Sequence, residues 1–309
     1  MTTALRQILA DYLRIRRTLG FKLAREEKLI GQFLDYLECH RGTCVTVEMA
    51  VAWARLPANP SPRWLGYRIS TIRSFAAFAN TLDPIHQVIP RGVLSCRATR
   101  ATPYLYSDQD IALLVEATGR LRYPVGRISY PVLIQLLAVT GLRIGEALAL
   151  DDSDLDVEHG VLTVRDGKFG KSRLVPLDPS VTDALRAYQQ QRDQVVERAE
   201  PGAFFLASTG RRLAYVNVSQ IFVKLVRRTG LADRSANCHP RPHDLRHTFA
   251  VRTLIDWYAD GGDVQARLPL LSTYLGHTEP KHTYWYLQAA PELMALAADR
   301  LHARMQEVR

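Results

Sequence analysis

A short polar stretch near residue 100 divides this chain into two parts with different patterns. Its sequence, RATRATPY from Arg97 to Tyr104, is basic and holds one proline, which is typical of a linker. Ser107 then opens an S-x-x-D sequence ahead of an apolar run, as at the start of a helix. Because 309 residues are enough for two hydrophobic cores, we predict two domains. The predicted boundaries are residues 1–97 for the first domain, 98–104 for the linker and 105–309 for the second domain.

The first domain combines helical patterning with a surplus of basic residues. Residues 1–97 hold 14 Lys and Arg against 7 Asp and Glu, whereas residues 98–309 hold 26 against 24. Such a surplus favours a partner that carries many phosphates, although a basic surface that only contacts water has the same composition. Apolar residues recur at helical spacing in four segments of this domain, Leu5–Leu19, Phe21–Cys39, Val45–Leu56 and Arg63–Leu82.

Three arginines on the fourth of these segments are candidates for DNA contacts. Arg63, Arg68 and Arg73 stand five residues apart, so they spread around a helix and form no single stripe. They either bind phosphates or form the solvent-exposed side of an amphipathic helix, and the basic surroundings favour phosphate binding.

The second domain mixes helical and strand-like patterns. Ile128–Val139 is apolar enough for a buried helix, and Val161–Val164 and Arg173–Leu177 are short strand-like runs. Two glycine-containing turn sequences between these runs indicate a β-hairpin. Helical patterns resume after residue 180, and the tail Pro291–Met305 carries an apolar stripe. The expected fold is therefore mostly α-helical with a small β-sheet, of the α+β class.

The sequence predicts no membrane segment, no metal and no cofactor. The longest nearly apolar run, Tyr130–Leu142, is too short to span a bilayer, and charges interrupt the first apolar stretch, so we expect a cytoplasmic protein. The four cysteines form no C-x-x-C pair. An aspartate triplet at residues 152–156 lacks the glycine and glutamate of a calcium loop, and prolines disrupt a histidine triplet at residues 239–247.

Four short motifs in the second domain carry residues that suit phosphate chemistry. They are TGLRIGEAL with Arg143 and Glu146, GKFGKSRLVPL with Lys168, HDLRHTFA with His243 and Arg246, and LGHTEPKHTYWY with His277 and Tyr286. In this order and at this spacing the motifs resemble the tyrosine recombinase family, which includes phage integrases and Xer-type resolvases. The resemblance covers about residues 104–290, and the basic helical first third is similar to the family's DNA core-binding domain.

The resemblance implies a site-specific DNA recombinase that cuts and rejoins strands without a metal ion or ATP. Tyr286 is the expected nucleophile, and the expected intermediate is a 3′-phosphotyrosine. Arg143 and Arg246 fit a bidentate clamp on the phosphate oxygens that stabilises the transition state. His243 is the candidate base that activates the tyrosine hydroxyl.

The other matching residues are expected to assist these four. Lys168 is the expected general acid for the departing 5′ oxygen, with Lys171 as its rival in the same predicted turn. His277 is expected to donate a hydrogen bond to the phosphate, and Glu146 to orient a histidine or arginine from behind. Lys171 and Arg173 are further candidates for DNA contacts.

Two other tyrosines compete with Tyr286 for the role of nucleophile. If the segment is helical, Tyr284 and Tyr286 lie about 200° apart around the axis, so only one of them can face a phosphate. Tyr274 is the second competitor. The spacing of nine residues after His277 favours Tyr286.

Three other functions share part of this pattern. A type IB topoisomerase or a hairpin telomere resolvase uses similar chemistry, and a DNA-binding regulator that has lost catalysis keeps the same fold. The complete catalytic set disfavours the regulator. A metal-dependent nuclease is disfavoured because no plausible carboxylate site is found.

The expected partner is double-stranded DNA at a specific recombination site. The resemblance implies four protomers on two duplexes, and the tail from Pro291 onward either docks on a neighbouring protomer or packs on its own domain. A longer segment before LGH, around DWYADGGDVQARLPL, is similar to recombinases of transposons and plasmids. The resemblance therefore favours a recombinase of a mobile element, with integration, excision and resolution all open as its outcome.

Overall fold

The computed structural model describes residues 2–95, 102–165, 172–231, 233, 235, 238–277, 279, 281–287, 293–295 and 298. Contacts within the chain divide it into two units, Met1–Arg100 and Ala101–Arg309. Lys168, Lys171, most of the predicted linker and most of the predicted tail helix lie outside the described residues. No helix in the described ranges is both long and apolar enough to cross a membrane.

The first unit is built from helices that pack around one hydrophobic core. These helices are α1 (Thr2–Thr18), α2 (Ala24–Cys39), α3 (Val47–Arg55) and α4 (Pro62–Leu82). Side-chain caps begin two of them, because Thr46 accepts a hydrogen bond from an amide of α3 and Ser61 accepts one from an amide of α4. The core buries large side chains such as Phe33 and Phe75 completely.

The three candidate arginines of α4 have different surroundings. Arg63 is exposed, and Arg73 is half-buried with its Nε donating to the carbonyl of Ile89 at 3.1 Å. Arg68 is 6% exposed: its Nη2 donates to the carbonyl of Trp53 at 2.7 Å, and its guanidinium lies 3.6 Å from the centre of the Trp53 ring. The guanidinium of Arg68 is thus bound within the free protein, and its contact with DNA stays a prediction.

The second unit contains a three-stranded antiparallel sheet among helices. Its strands β1 (Leu155–Asp156), β2 (Val161–Val164) and β3 (Arg173–Pro176) lie in the order β1-β2-β3. Strand β2 pairs with β3 so that Leu162 lies opposite Val175. This pairing confirms the predicted hairpin, and the mostly helical fold with a small sheet confirms the predicted class. The elements are α5 (Asp108–Thr118), α6 (Pro124–Thr140), α7 (Ile144–Ala149), β1 (Leu155–Asp156), β2 (Val161–Val164), β3 (Arg173–Pro176), α8 (Pro179–Val195), α9 (Tyr215–Thr229), α10 (Asp244–Ala259), α11 (Val264–Tyr274) and α12 (Lys281–Leu287).

Helix α6 runs through the core of the second unit and ends next to α10. Gly141 follows the last residue of this helix and adopts a left-handed φ of +60°. A Cβ atom at Gly141 would lie 2.5 Å from Cδ1 of Phe249 on α10, so no side chain fits there without displacing that ring. This close packing fixes the point from which the chain continues to Arg143.

We expect Gly141→Ala to lower the free energy of unfolding by about 1–3 kcal/mol, because the left-handed backbone and the Phe249 ring both oppose a Cβ atom. Gly145→Ala is the matched control, since Gly145 lies within α7 and nothing stands within 4 Å of its Cβ position. Thermal and denaturant unfolding of both variants measures the difference. Equal stability of the two variants contradicts the packing argument.

Candidate active site

The carboxyl end of α11 binds three arginines that are distant from one another in the sequence. The Gly276 amide donates to Thr273 and the His277 amide donates to Ser272, a Schellman motif that leaves the last carbonyls open. A helix end of this kind carries partial negative charge, which attracts guanidinium groups. The three contacts are Arg173 Nε to Tyr274 O at 2.7 Å, Arg246 Nη2 to Leu275 O at 2.7 Å and Arg143 Nη2 to Gly276 O at 2.9 Å.

Arg143 stands at the turn between α6 and α7, where it is held by a carboxylate. Its backbone amide donates to Oε2 of Glu146 at 3.0 Å, and its Nη1 donates to Oε1 at 2.6 Å. The side chain of Arg143 is 23% exposed. The guanidinium is therefore fixed in orientation while part of it stays open to a phosphate.

Arg246 lies in the first turn of α10 and is 2% exposed. Its Nη1 donates to the carbonyl of Gly141 at 2.7 Å, and its Nη2 contacts Nε2 of His277 at 3.0 Å. Burial lowers the pKa of Arg246 to about 10, so the guanidinium stays charged at neutral pH. The structure thus brings Arg143, Arg246 and His277 together, as their proposed roles require.

Glu146 joins Arg143 to Arg173, which the sequence predicts as a DNA contact. Both terminal nitrogens of Arg173 donate to the Glu146 carboxylate, at 3.2 and 2.8 Å, and the Arg173 side chain is 13% exposed. The guanidinium of Arg173 is thus occupied within the free protein, and its contact with DNA stays a prediction. Burial raises the pKa of Glu146, but the hydrogen bonds and charges of Arg173 and Arg143 outweigh it and lower that pKa to about 2.

Helix α12 places Tyr286 beside the arginine pair of the same chain. The phenol ring of Tyr286 stacks near His277, which also contacts Arg246, with 6.0 Å between the two ring centroids. Tyr286 is 2% exposed, whereas Tyr284 is 45% exposed on the same helix. Tyr274 stacks its ring on a phenylalanine of α10 instead.

Two histidines of the third motif lie beside one another, and the second of them, His247, also lies next to Tyr286. His243 precedes α10 and keeps an exposed edge, yet desolvation and the charges of Arg246, Arg241 and Arg143 lower its pKa to about 4. His243 is therefore neutral at pH 7 and able to accept a proton. His247 follows one helical turn later, with its ring centroid 4.8 Å from that of His243 and 5.4 Å from that of Tyr286.

Two contacts of the site were not predicted from the sequence. The first is the contact of His247 with Tyr286, because the sequence spacing of His247 suggested only a metal ligand. The described residues contain no group of three His, Cys, Asp or Glu side chains that could hold a metal ion. Thr283 carried no signal, although its Oγ1 lies 2.8 Å from Nδ1 of His277. Lys168 and Lys171 belong to residues outside the described ranges, between the ends of β2 and β3.

Comparison with known sequences gives one family. The profile of the phage integrase family matches residues 108–292. A putative integrase/recombinase of Sinorhizobium fredii, y4rB, is 40% identical over 309 residues, which are 98% of each chain. The tyrosine recombinase XerC of Chlamydia caviae is 26% identical over 79% of this chain and 73% of its own.

Comparison with solved structures shows the same fold over nearly the whole chain. The Tn1549 transposon integrase in complex with transposon right end DNA has a TM-score of 0.66 and 21% identity, and the match covers 98% of both chains. The XerA recombinase has a TM-score of 0.52 and 20% identity, over 97% of this chain and 98% of its own.

We expect Glu146→Gln to destabilise the protein by about 3 kcal/mol at pH 7, because a carboxyl with a pKa of about 2 in the folded state and 4.5 when unfolded stabilises the ionised fold. The contribution is complete above pH 4.5 and is lost as the pH falls from 4.5 toward 2. Denaturant unfolding at about pH 7, 5, 4, 3 and 2, which spans this window, measures the difference in stability between wild type and variant.

The matched control for this prediction is Glu158→Gln, which neutralises an exposed carboxylate of the same unit. Its stability should stay within about 0.5 kcal/mol of wild type at every pH. A Glu146→Gln deficit that is equally large at pH 7 and pH 3 contradicts the ionic origin of the effect.

Proposed function

Since this chain belongs to the phage integrase family and is a tyrosine-type site-specific DNA recombinase, we propose that Tyr286 is its nucleophile. The phenolic oxygen attacks a backbone phosphorus, the bond to the 5′ oxygen breaks, and the enzyme stays joined to the 3′ phosphate. The position of Tyr286 beside His277 carries this assignment, because it puts the nucleophile next to a histidine that contacts Arg246 in the same chain. The phosphotyrosine conserves bond energy, so rejoining needs no ATP.

The two arginines supply the positive charge that the reaction needs. Attack on a phosphodiester adds negative charge to its oxygens, and guanidinium groups stabilise that charge through bidentate hydrogen bonds. Arg143 and Arg246 are both anchored at the end of α11, on neighbouring carbonyls. Groups that are already oriented need no reorganisation in the transition state, which is the condition for effective electrostatic catalysis.

Proton transfer is assigned to His243 and Lys168. A tyrosine hydroxyl ordinarily has a pKa of ~10, so a base must remove its proton at neutral pH. Because its pKa is lowered to about 4, His243 is neutral at pH 7 and is able to accept this proton as the bond to phosphorus forms. Lys168 protonates the departing 5′ oxygen. Its assignment rests on the family motif GKFGKSRLVPL, whose first five residues, 167–171, lie outside the described residues.

His277 and Glu146 complete the proposed site. His277 donates a hydrogen bond from Nε2 to a phosphate oxygen, next to the arginine that it already contacts. Glu146 sets the orientation of Arg143 through two hydrogen bonds and shares its charge with Arg173. Glu146 therefore contributes to the reaction by positioning Arg143.

The substrate is DNA, and the first unit is proposed as its core-binding domain. The Tn1549 integrase, whose fold this chain shares, was solved with transposon DNA. The exposed Arg63 and the surplus of basic residues in the first unit support phosphate contacts there. We place the protein in the cytoplasm with its DNA substrate, and we assign it to the movement of a mobile element, like the relatives called integrases.

The proposed assembly is four protomers on two DNA sites. Recombination exchanges strands between two sites, and each site has two cleavage positions, so four nucleophiles are required. The tail from Pro291 onward is proposed as the contact between neighbouring protomers, because its apolar stripe is suited to docking.

We expect Tyr286→Phe to abolish covalent capture of DNA, because it removes the attacking oxygen. Tyr284→Phe is the matched control, since it makes the same change two residues away on an exposed position of α12. The measurement is trapping of a protein–DNA adduct on a nicked suicide duplex taken from the DNA that flanks the gene. Wild type and Tyr284→Phe form the adduct, and Tyr286→Phe does not.

Two outcomes contradict this proposal. Capture that survives in Tyr286→Phe shows that another residue is the nucleophile. Loss of capture in both variants, with DNA binding retained, shows that the hydroxyl of Tyr284 also takes part in the reaction.

A further inference from the structure

A buried threonine connects the helix of the nucleophile to the phosphate-binding histidine. Thr283 is 1% exposed and lies on α12, three residues before Tyr286. Its Oγ1 is 2.8 Å from Nδ1 of His277. This contact gives His277 a partner on the side of the ring that faces away from Arg246.

The neighbours of His277 determine which ring nitrogen carries the proton. A guanidinium has only donors, and Nη2 of Arg246 is 3.0 Å from Nε2 of His277, so Nε2 accepts in the free protein. A neutral imidazole carries a single proton, which therefore lies on Nδ1. The Nδ1–H group then donates to Oγ1 of Thr283.

The proposed role of His277 requires the opposite tautomer. To donate a hydrogen bond to a phosphate oxygen, Nε2 must carry the proton, and Nδ1 of the neutral ring must then accept. The partner of Nδ1 has to change from acceptor to donor during DNA binding. A hydroxyl group is able to make this change by rotating its hydrogen, whereas a carbonyl or carboxylate is not.

We propose that Thr283 is a positioning residue that lets His277 change tautomer when the phosphate binds. In the free protein the Thr283 hydroxyl accepts a hydrogen bond from Nδ1–H. On DNA, the proton lies on Nε2 and points to the phosphate, and the Thr283 hydroxyl donates to Nδ1. The inference rests on the proposed role of His277 and adds the residue through which that role is exercised.

The first test replaces the hydroxyl while keeping the shape of the side chain. Thr283→Val removes the hydroxyl, and Thr283→Ser keeps it. We expect single-turnover capture on the nicked duplex to slow about 10- to 100-fold in Thr283→Val, the rate equivalent of one buried hydrogen bond, and to stay within about threefold of wild type in Thr283→Ser. The new tautomer is present once the phosphate is bound, but the hydrogen bond from Nε2 strengthens as negative charge develops on the phosphate oxygens. The capture rate should therefore fall more than the DNA affinity, which we expect to change by less than about tenfold in both variants.

Thr118→Val is the matched control for the loss of a buried hydroxyl. Thr118 is 2% exposed in the same unit, and its Oγ1 donates to a carbonyl of its own helix α5. Its capture rate should equal that of wild type. The proposal is overturned if Thr283→Val captures DNA as fast as wild type, if Thr283→Ser is as slow as Thr283→Val, or if Thr118→Val is slowed equally.

A second measurement does not depend on the folding of any Thr283 variant. Long-range nitrogen–proton NMR spectra report the tautomer of His277, with a His277→Gln spectrum to assign its signals. We expect the Nδ1–H form in the free protein and the Nε2–H form in the Tyr286→Phe protein bound to the same duplex. An Nε2 proton in the free protein, or an Nδ1 proton retained on DNA, overturns the proposal.

These experiments separate the new inference from the proposed function. If wild type captures DNA through Tyr286 and the Thr283 variants behave alike, the nucleophile assignment stands and the role of Thr283 falls. If wild type forms no adduct with Tyr286, the proposed function itself fails, whatever the tautomer of His277.

Discussion

The carboxyl end of α11 is the feature on which the site depends. Three consecutive carbonyls there hold three guanidiniums, which would otherwise repel one another. One carboxylate, Glu146, neutralises two of them, Arg143 and Arg173. Among the described residues, Arg246 has no carboxylate as a hydrogen-bond acceptor. Burial of its guanidinium lowers its pKa. The positive charge directed at a phosphate is therefore concentrated at Arg246 and at the open part of Arg143.

The burial of the two central groups has a consequence for DNA binding. Arg246 and Tyr286 are each 2% exposed, and both contact His277. A phosphate oxygen is about as large as a water molecule, so a group that water does not reach is also closed to the phosphate. Atoms that cover Arg246 must therefore move when DNA binds. Helix α12 carries Tyr286 and contacts α10, which carries Arg246, so its displacement would expose the arginine and free the proposed nucleophile together.

Local patterns in the sequence predicted the helices and the hairpin, but they did not predict the partners of individual side chains, which depend on tertiary contacts. The helices of the first unit and the β2–β3 hairpin follow from apolar spacing and turn residues. The family motifs identified the arginine pair and Tyr286. The pattern could not show that Arg68 lies against Trp53 or that Arg173 is bound by Glu146, because both contacts join segments 15 or more residues apart. A buried threonine such as Thr283 has no distinctive spacing at all.

Two glycines explain why the arginines reach the same place. Gly276, with a φ of +65°, turns the chain after α11, and a Cβ atom there would lie 2.8 Å from Nη1 of Arg173. Gly141 turns the chain after α6 and gives its carbonyl to Arg246. Both helices thus end in left-handed turns that place carbonyls toward guanidiniums, with no side chain in between. The glycines of the T-G-L-R and L-G-H motifs are therefore required by the backbone. Each glycine ends a helix in a left-handed turn, and the carbonyls at that helix end position the arginine side chains.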